Sequence, residues 1–295
     1  MADTRMQNAA PSVPRPRRPA PLSAPDETRP PPHRPLRLIQ ITDSHLFAHA
    51  EGRLLGLNTR CTFEAVLSLA LEGTTPADAL VMTGDLVQDE TGEGYAYLAR
   101  MLEATGLPCF CIPGNHDRRD LMEQWLGAAA MGPIADNRID GWHLIFLDST
   151  LPGEDGGRLT ARQVHHLDAL LERDPSRHCL VFLHQQPVPI GSAWMDTMGV
   201  ANGAQLLAVC NRHPHVKSVI CGHIHQEFAQ AHGHYQILGT PSTCFQFRPD
   251  SPNFALDERT PGYRDLWLHA DGRLTTRVVR LPQYPQPPSF DATGY

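Results

Sequence analysis

Short apolar segments that run directly into short polar peptides recur along this chain, and this pattern constrains the fold most. Five predicted strands are followed at once by peptides rich in Asp, Asn and His. These peptides are Asp43-Ser-His45, Gly84-Asp85, Gly114-Asn-His-Asp117, His184 and Gly222-His-Ile-His225. In open α/β sheets, binding sites form where the carboxyl ends of the strands meet. The pattern therefore predicts an α/β protein in which the five peptides converge on one site.

Alternation and short β-branched runs predict the strands, and apolar residues repeating every three to four positions predict the helices. The predicted strands are 36–42, 79–83, 108–112, 141–147, 178–183, 216–221, 266–269 and 274–280. The predicted helices are 62–72, 93–105, 119–130, 160–173 and 204–211. The order βαβα followed by paired strands predicts helices layered on buried sheet. Long irregular stretches at 185–203 and 239–265 are expected to shape a site beside the strand ends.

Proline-rich segments flank the predicted domain. Residues 1–36 hold ten prolines and six arginines with few large apolar side chains, which predicts a disordered tail. Residues 37–281 then form one domain, and residues 282–295 form a Pro-rich C-terminal tail. A solvated arm is the simpler interpretation of the first tail, although its arginines leave contact with RNA or another acidic surface open.

Charge, cysteine content and hydropathy exclude several classes of protein. The net charge is −7, and because the N-terminal tail contributes +3, the remainder carries −10. Such an acidic domain is not expected to bind nucleic acid. Apolar runs fall short of the ~18 residues that span a membrane, and no signal peptide is recognisable. The seven cysteines lack the spacing of a disulfide framework, so we predict a cytoplasmic protein without membrane association.

The polar peptides have the composition of a metal site. In a random chain of this composition, Gly-Asn-His-Asp is expected about 0.002 times and Gly-His-x-His about 0.07 times, so coincidence explains little. Oxygen and imidazole donors suit Mn, Fe, Zn or Mg, and no cysteine is expected near them. If one carboxylate bridges, seven residues offer enough donors for two metal ions, an arrangement that suits displacement at phosphorus.

With these motifs the chain resembles the calcineurin-like binuclear metallophosphoesterases over nearly all of residues 37–280. Within that superfamily it is similar to the bacterial class III 3′,5′-cyclic AMP phosphodiesterases, through residues 191–196, 239–247, 251–254, 261–264 and 266–281. The resemblance implies a four-layer αββα sandwich. It also implies hydrolysis of 3′,5′-cyclic AMP to 5′-AMP by a hydroxide that bridges two metal ions, iron with manganese or magnesium, or zinc. A homodimer is a further possibility.

The resemblance assigns a role to each motif residue. The first metal would be held by Asp43, His45, Asp85 and His225. The second would be held by Asp85, Asn115, His184 and His223, with Asp85 as the bridge. His116 would assist the leaving group. Substrate contacts would come from His45, Asn115, His116 and His225.

Two departures from the family pattern and three alternatives remain open. Gln88 stands where the superfamily's protein phosphatases have aspartate, and the Arg that follows in their motif is missing. This argues against a Ser/Thr phosphatase and leaves Asp117 or Asp89 as candidates to orient His116. Gln185 replaces a second histidine found in many relatives. The alternatives are action on another phosphoester, as in a nucleotidase or a small phosphodiester hydrolase; a non-catalytic scaffold; and a loop-packing role, not base stacking, for Trp194 and Phe245.

Overall fold

The computed structural model describes residues 34–73 and 75–294. The predicted N-terminal tail lies outside the described residues as far as residue 33. Leu36, which the sequence analysis placed both at the end of the tail and at the start of the strand 36–42, begins the first strand and is buried. The reason is that Leu36 packs in the apolar layer between the two large sheets.

Strands and helices alternate through most of the chain. In chain order the strands are β1 (Leu36–Ile41), β2 (Arg53–Leu54), β3 (Leu57–Asn58), β4 (Ala79–Thr83), β5 (Cys109–Ile112), β6 (Ile134–Ile139), β7 (Trp142–Leu147), β8 (Thr150–Leu151), β9 (Glu154–Gly157), β10 (His178–Phe182), β11 (Val216–Cys221), β12 (Phe228–His232), β13 (Tyr235–Gly239), β14 (Gln246–Phe247), β15 (Leu256–Asp257), β16 (Gly262–Leu268) and β17 (Leu274–Arg280). The helices are α1 (Thr59–Leu71), α2 (Gly92–Thr105), α3 (Arg119–Leu126), α4 (Ala161–Arg173) and α5 (Gly203–Arg212), with 3₁₀ turns at Gly127–Ala129 and Met195–Met198.

Two large mixed sheets form the centre of the molecule. The first has the order β17-β16-β1-β4-β5, and the second has the order β12-β13-β11-β10-β7-β6. The pairs β1–β4 and β4–β5 are parallel, as are β13–β11, β11–β10 and β10–β7. Because parallel strands in one sheet end on the same side, the polar peptides that follow them are brought together.

Apolar packing divides the molecule into four layers. Side chains from both sheets, including Leu38, Val81, Phe146 and Phe182, fill the space between the sheets. Helices α1, α2 and α3 cover the outer face of the first sheet, and α4 and α5 cover that of the second. The predicted αββα sandwich is confirmed. Among the described residues, none of the helices has the length and apolar character needed to cross a membrane.

The element predictions fail where the pattern is weak. The helix predicted for 119–130 ends at Leu126, because Gly127 adopts a positive φ of 54°. Strands β6, β12 and β13 were not predicted; β6 and β12 are half-exposed edge strands without a clean alternation. Part of the predicted C-terminal tail packs on the domain: the Ser289 backbone N–H donates to the Leu55 carbonyl at 2.8 Å.

Candidate metal centre

The structure brings all seven predicted ligand residues together at the carboxyl ends of β1, β4, β5, β10 and β11. Short backbone hydrogen bonds tie the peptides to one another. The Asp43 N–H donates to the Gly84 carbonyl and the His45 N–H to the Asp85 carbonyl, both at 2.9 Å. The two sheets are joined here as well, because the His223 N–H donates to the Asp43 carboxylate at 3.0 Å.

The backbone at this edge is strained. Five of the predicted ligands adopt left-handed conformations, with φ of 53° at Asp43, 43° at His45, 51° at Asp85, 67° at His223 and 46° at His225. Such conformations cost a non-glycine residue free energy and persist only where the surroundings enforce them, often at functional sites. The strain therefore marks the strand ends as the candidate site.

Glycine is required where the peptides approach most closely. A Cβ on Gly114 would lie 2.1 Å from Asp85 Oδ1, and one on Gly222 would lie 2.0 Å from Thr42 Oγ1. Both contacts are shorter than van der Waals distance. These positions therefore exclude any side chain and let the Asp85 and Asp43 carboxylates approach the neighbouring backbone.

The first donor cluster lies between β1, β4 and β11. His225 Nε2 lies 3.2 Å from His45 Nε2 and 3.4 Å from Asp43 Oδ1. His45 Nε2 lies 3.8 Å from Asp85 Oδ2. All four side chains are buried. Four oxygen and nitrogen donors at these separations can hold one metal ion.

The second donor cluster shares Asp85 with the first. His184 Nε2 lies 3.3 Å from Asp85 Oδ2 and 3.2 Å from Asn115 Oδ1. The His184 and His223 ring centroids are 5.0 Å apart. His223 Nε2 is buried and has no hydrogen-bond partner within the described part of the chain. An orphaned imidazole nitrogen beside a shared carboxylate fits a second metal ion, because burying it without a partner is unfavourable.

Hydrogen bonds on the outer side fix the tautomers of three histidines. His184 Nδ1 donates to the Thr83 carbonyl at 2.7 Å, and His225 Nδ1 donates to the Phe245 carbonyl at 2.9 Å. His45 Nδ1 lies 2.6 Å from Gln88 Oε1, which accepts in the same way. A proton held on Nδ1 directs the Nε2 lone pair into the site, as metal-binding histidines require.

The charges of the site divide its histidines into two pairs. Burial lowers the pKa of His45 and of His223 to about 3, so both imidazoles are neutral. Burial acts in the same direction on His184 and His225. There the carboxylate charges outweigh it, Asp85 raising the pKa of His184 to about 9 and Asp43 raising that of His225 to about 10.

The two carboxylates respond in the opposite sense. Burial alone would raise the pKa of Asp43 and of Asp85. His225 opposes it at Asp43 and His184 opposes it at Asp85, and both pKa values lie below the ordinary range. Without metal, two imidazolium charges therefore balance the two carboxylates, and cations placed there would take over that role.

His116 lies at the rim of the site and is half-buried. Its ring meets that of His45 edge-on, with 5.1 Å between centroids, and Gln88 Nε2 lies 3.5 Å from its Nδ1. Asp117 instead accepts from the Tyr95 hydroxyl at 2.7 Å, and Asp89 accepts from the Ala48 N–H at 2.7 Å. A ring nitrogen of His116 also lies within 4.8 Å of donor atoms of His45 and Asp85. Gln88, the residue that departs from the phosphatase pattern, is thus one of the neighbours of the His116 ring.

Cys244 was missed by the sequence analysis, which expected no cysteine near the donors. It is buried, and its sulfur lies within 4.8 Å of nitrogen atoms of His45 and His225. The Ser242 hydroxyl lies 3.0 Å from the same sulfur. Cys244 follows β13 within a long loop, so no strand-end motif pointed to it.

Comparison with known proteins agrees with this geometry. Residues 36–227 match the calcineurin-like phosphoesterase family. The 3′,5′-cyclic adenosine monophosphate phosphodiesterase CpdA of Escherichia coli (strain K12) is 40% identical over 261 residues, covering 88% of this chain and 95% of that protein. A 3′,5′-cyclic-nucleotide phosphodiesterase of Nostoc sp. (strain PCC 7120) is 38% identical, covering 84% and 93%.

Solved structures share the fold at low sequence identity. A dimetal phosphatase from Danio rerio superposes with a TM-score of 0.64 at 16% identity, over 83% of this chain and 96% of that one. A purple acid phosphatase from yellow lupin gives 0.58 at 13% identity, over 86% and 52%. From the family match, the close relatives and the shared fold, the chain belongs to the calcineurin-like phosphoesterase family, in the group that contains the bacterial 3′,5′-cyclic AMP phosphodiesterases.

Proposed function

We propose that this protein is a metal-dependent phosphodiesterase that hydrolyses 3′,5′-cyclic AMP to 5′-AMP. The observation that carries the proposal is the pair of buried donor clusters joined through Asp85, with His116 at their rim, in a chain 40% identical to a cyclic AMP phosphodiesterase. The two clusters together contain every ligand residue that the sequence predicts, which favours an enzyme over a non-catalytic scaffold.

The donor set fits two metal ions. Asp43, His45, Asp85 and His225 would hold the first, and Asp85, Asn115, His184 and His223 would hold the second. When bound, such ions polarise a phosphoryl oxygen and make a water molecule nucleophilic at neutral pH. Iron with manganese or magnesium is our assignment, with zinc as the alternative, because oxygen and imidazole donors accept all of them.

His116 is assigned to the leaving group. Hydrolysis adds water to phosphorus and breaks the bond from phosphorus to the 3′ oxygen, and that oxygen must gain a proton. Gln88 Nε2 is a donor 3.5 Å from Nδ1, and this contact favours a proton on His116 Nε2, from which the ring can donate to the leaving oxygen. Asn115 and His116 line the cavity beside the site, in keeping with their predicted substrate contacts. The substrate contacts of the buried His45 and His225 stay predictions, as do the cytoplasmic location and the homodimer.

A substrate panel tests the proposal. Purified protein would be loaded in turn with Mn, Fe, Mg or Zn and assayed on 3′,5′-cyclic AMP, cyclic GMP, 2′,3′-cyclic AMP and p-nitrophenyl esters. We expect 3′,5′-cyclic AMP to be among the better substrates with at least one metal. Poor turnover of it with every metal would contradict the function, and a preference for another ester would identify a different phosphoesterase.

Replacing the rim histidine should separate chemistry from metal binding. We expect His116→Ala to lower kcat on 3′,5′-cyclic AMP by about 10²- to 10⁴-fold while the metal content stays unchanged, because a proton donor is lost and no ligand is removed. His165→Ala, on the exposed face of α4, is the matched control. Unaltered kcat in His116→Ala would refute the assigned role.

A further inference from the structure

A cavity of about 260 Å³ lies beside the metal centre, and its wall has two chemically different parts. Asn115, His116, His223 and Asp155 line the polar part. Trp194, Met198 and Phe254 contribute an apolar part. Asn115, His116 and His223 belong to the site described above, whereas the apolar part has no role in breaking a phosphoester bond.

The apolar wall is built on an aromatic cluster that reaches the metal centre. The Trp194 ring packs edge-to-face on Phe247 and on Phe254, with centroid distances of 4.9 and 5.4 Å. Phe247 in turn stacks on the His225 ring at 4.4 Å. The wall is therefore held at a fixed position relative to a proposed metal ligand.

Hydrogen bonds hold the Trp194 loop in place. Gln186 Nε2 donates to the Met195 carbonyl at 2.9 Å, and the Ile190 N–H donates to Asp196 Oδ1 at 2.7 Å. The Ser192 hydroxyl lies 3.4 Å from the Arg248 carbonyl and connects this loop to the Phe254 segment. A wall that is already ordered loses little conformational entropy when a ligand binds.

We propose that this apolar wall is the nucleobase subsite, with Trp194 and Phe254 as its contact residues. The inference rests on the proposed function and deepens it. A nucleotide combines a charged phosphoryl group with a planar base that can stack. The cavity likewise combines polar side chains next to the metal centre with an aromatic wall. Stacking on aromatic side chains stabilises a bound base, and every base offers a π-face for it.

Binding of the product tests the subsite without turnover. The probes are 5′-AMP and ribose 5-phosphate, which differ only in the base, titrated calorimetrically into the Mn-loaded full-length protein. We expect the wild type to bind 5′-AMP about tenfold more tightly than ribose 5-phosphate. Trp194→Leu and Phe254→Leu should each reduce that preference to about twofold or less.

Trp267→Leu is the matched control, because Trp267 lies on β16 and does not line the cavity; it should keep the tenfold preference. Loss of the preference in either wall variant supports the subsite, and Met198→Ala replaces a variant that fails to fold. No preference in the wild type, or a preference kept in both wall variants, would overturn it. A wild type that prefers 5′-AMP but does not hydrolyse 3′,5′-cyclic AMP supports the subsite and contradicts the proposed function.

Discussion

Gln88 contacts two histidines of the site through one amide group. Its oxygen accepts from His45 Nδ1 at 2.6 Å, and its nitrogen lies 3.5 Å from His116 Nδ1. The same side chain therefore directs the His45 lone pair toward the metal position and offers a hydrogen-bond donor to the His116 ring. An aspartate at this position could accept from both rings but could donate to neither, so the substitution alters the proton arrangement of His116.

Removing the Gln88 amide should impair both histidines. We expect Gln88→Leu to lower kcat/KM on 3′,5′-cyclic AMP, or the affinity for the metal ion that His45 would bind, by about 10- to 100-fold. Loss of a group that orients a metal ligand has effects of this size. Steady-state kinetics and metal titration measure the two effects. Gln230→Leu, on the exposed edge strand β12, makes the same chemical change and should have no effect. Wild-type values for both quantities in Gln88→Leu would show that the amide orients neither ring.

The two protonated histidines predict a pH dependence of metal binding. The pKa of His184 is raised to about 9 and that of His225 to about 10, so both rings carry a proton at pH 7.5 in the metal-free chain. Metal must displace these protons. Loading at pH 7.5 should therefore release about two protons per chain, and metal affinity should rise with pH until about pH 10. Calorimetry in buffers of different ionisation enthalpy counts the protons; no release at pH 7.5 would contradict the assignment.

At the scale of elements, the short peptides that follow the strands determine the geometry of the site. Gly84 has φ of 97°, and a Cβ on it would lie 2.4 Å from His184 Nδ1 and 2.7 Å from the Gly114 nitrogen. We expect Gly84→Ala to reduce the free energy of unfolding by about 1–3 kcal/mol and to weaken metal retention, because the β4 and β10 junctions can no longer approach.

Gly153→Ala is the control for backbone strain alone. Gly153 has φ of 74°, and a Cβ there would meet nothing within 4 Å. Urea unfolding and metal analysis of both variants separate the strain from the steric clash. Equal losses of stability, with metal retained in both, would mean that the close packing at Gly84 is unimportant.

The sequence predicts the elements that carry a strong local signal. The buried strands ending before Asp43, Asp85, His184 and His223 are apolar and short, and each lies where it was predicted. The predicted helix 160–173 is α4 with Thr160 as its N-cap. The half-exposed strand β6 forms a hairpin with β7, in which Ile139 pairs with Trp142 across the Asp140-Gly141 turn. An Asp-Gly turn is a local hairpin signal, and the sequence analysis overlooked it.

The site was predictable where its residues follow strands and unpredictable where loops supply them. The seven ligand positions came from motifs. The contact between Gln88 and His116, and the approach of Cys244 to His225, depend on how separate loops pack. The left-handed conformations of Asp43 and His45 likewise result from the packing of several peptides, since a positive φ is uncommon for any residue other than glycine.

At the scale of the whole molecule, the layer between the sheets aligns the two halves of the site. The Phe146 ring stacks on Phe110 of the first sheet at 5.2 Å and on Phe182 of its own sheet at 5.4 Å. The ends of strands β4 and β10 lie side by side, because His184 Nδ1 donates to the Thr83 carbonyl at 2.7 Å. Asp85 from one sheet therefore meets His184 from the other, at 3.3 Å. Neither sheet alone supplies a complete donor cluster, so the site exists only in the assembled sandwich.

The metal content of Asp85→Ala tests the central claim most directly, because Asp85 is the one residue placed in both donor clusters. Protein saturated with Mn²⁺ and desalted would be analysed for metal per chain, with Asp271→Ala on the exposed hairpin as control. We expect two ions in the wild type and in the control, and nearly none in Asp85→Ala. Two ions retained in Asp85→Ala, or no more than one in the wild type, would contradict a pair of ions held through a shared carboxylate.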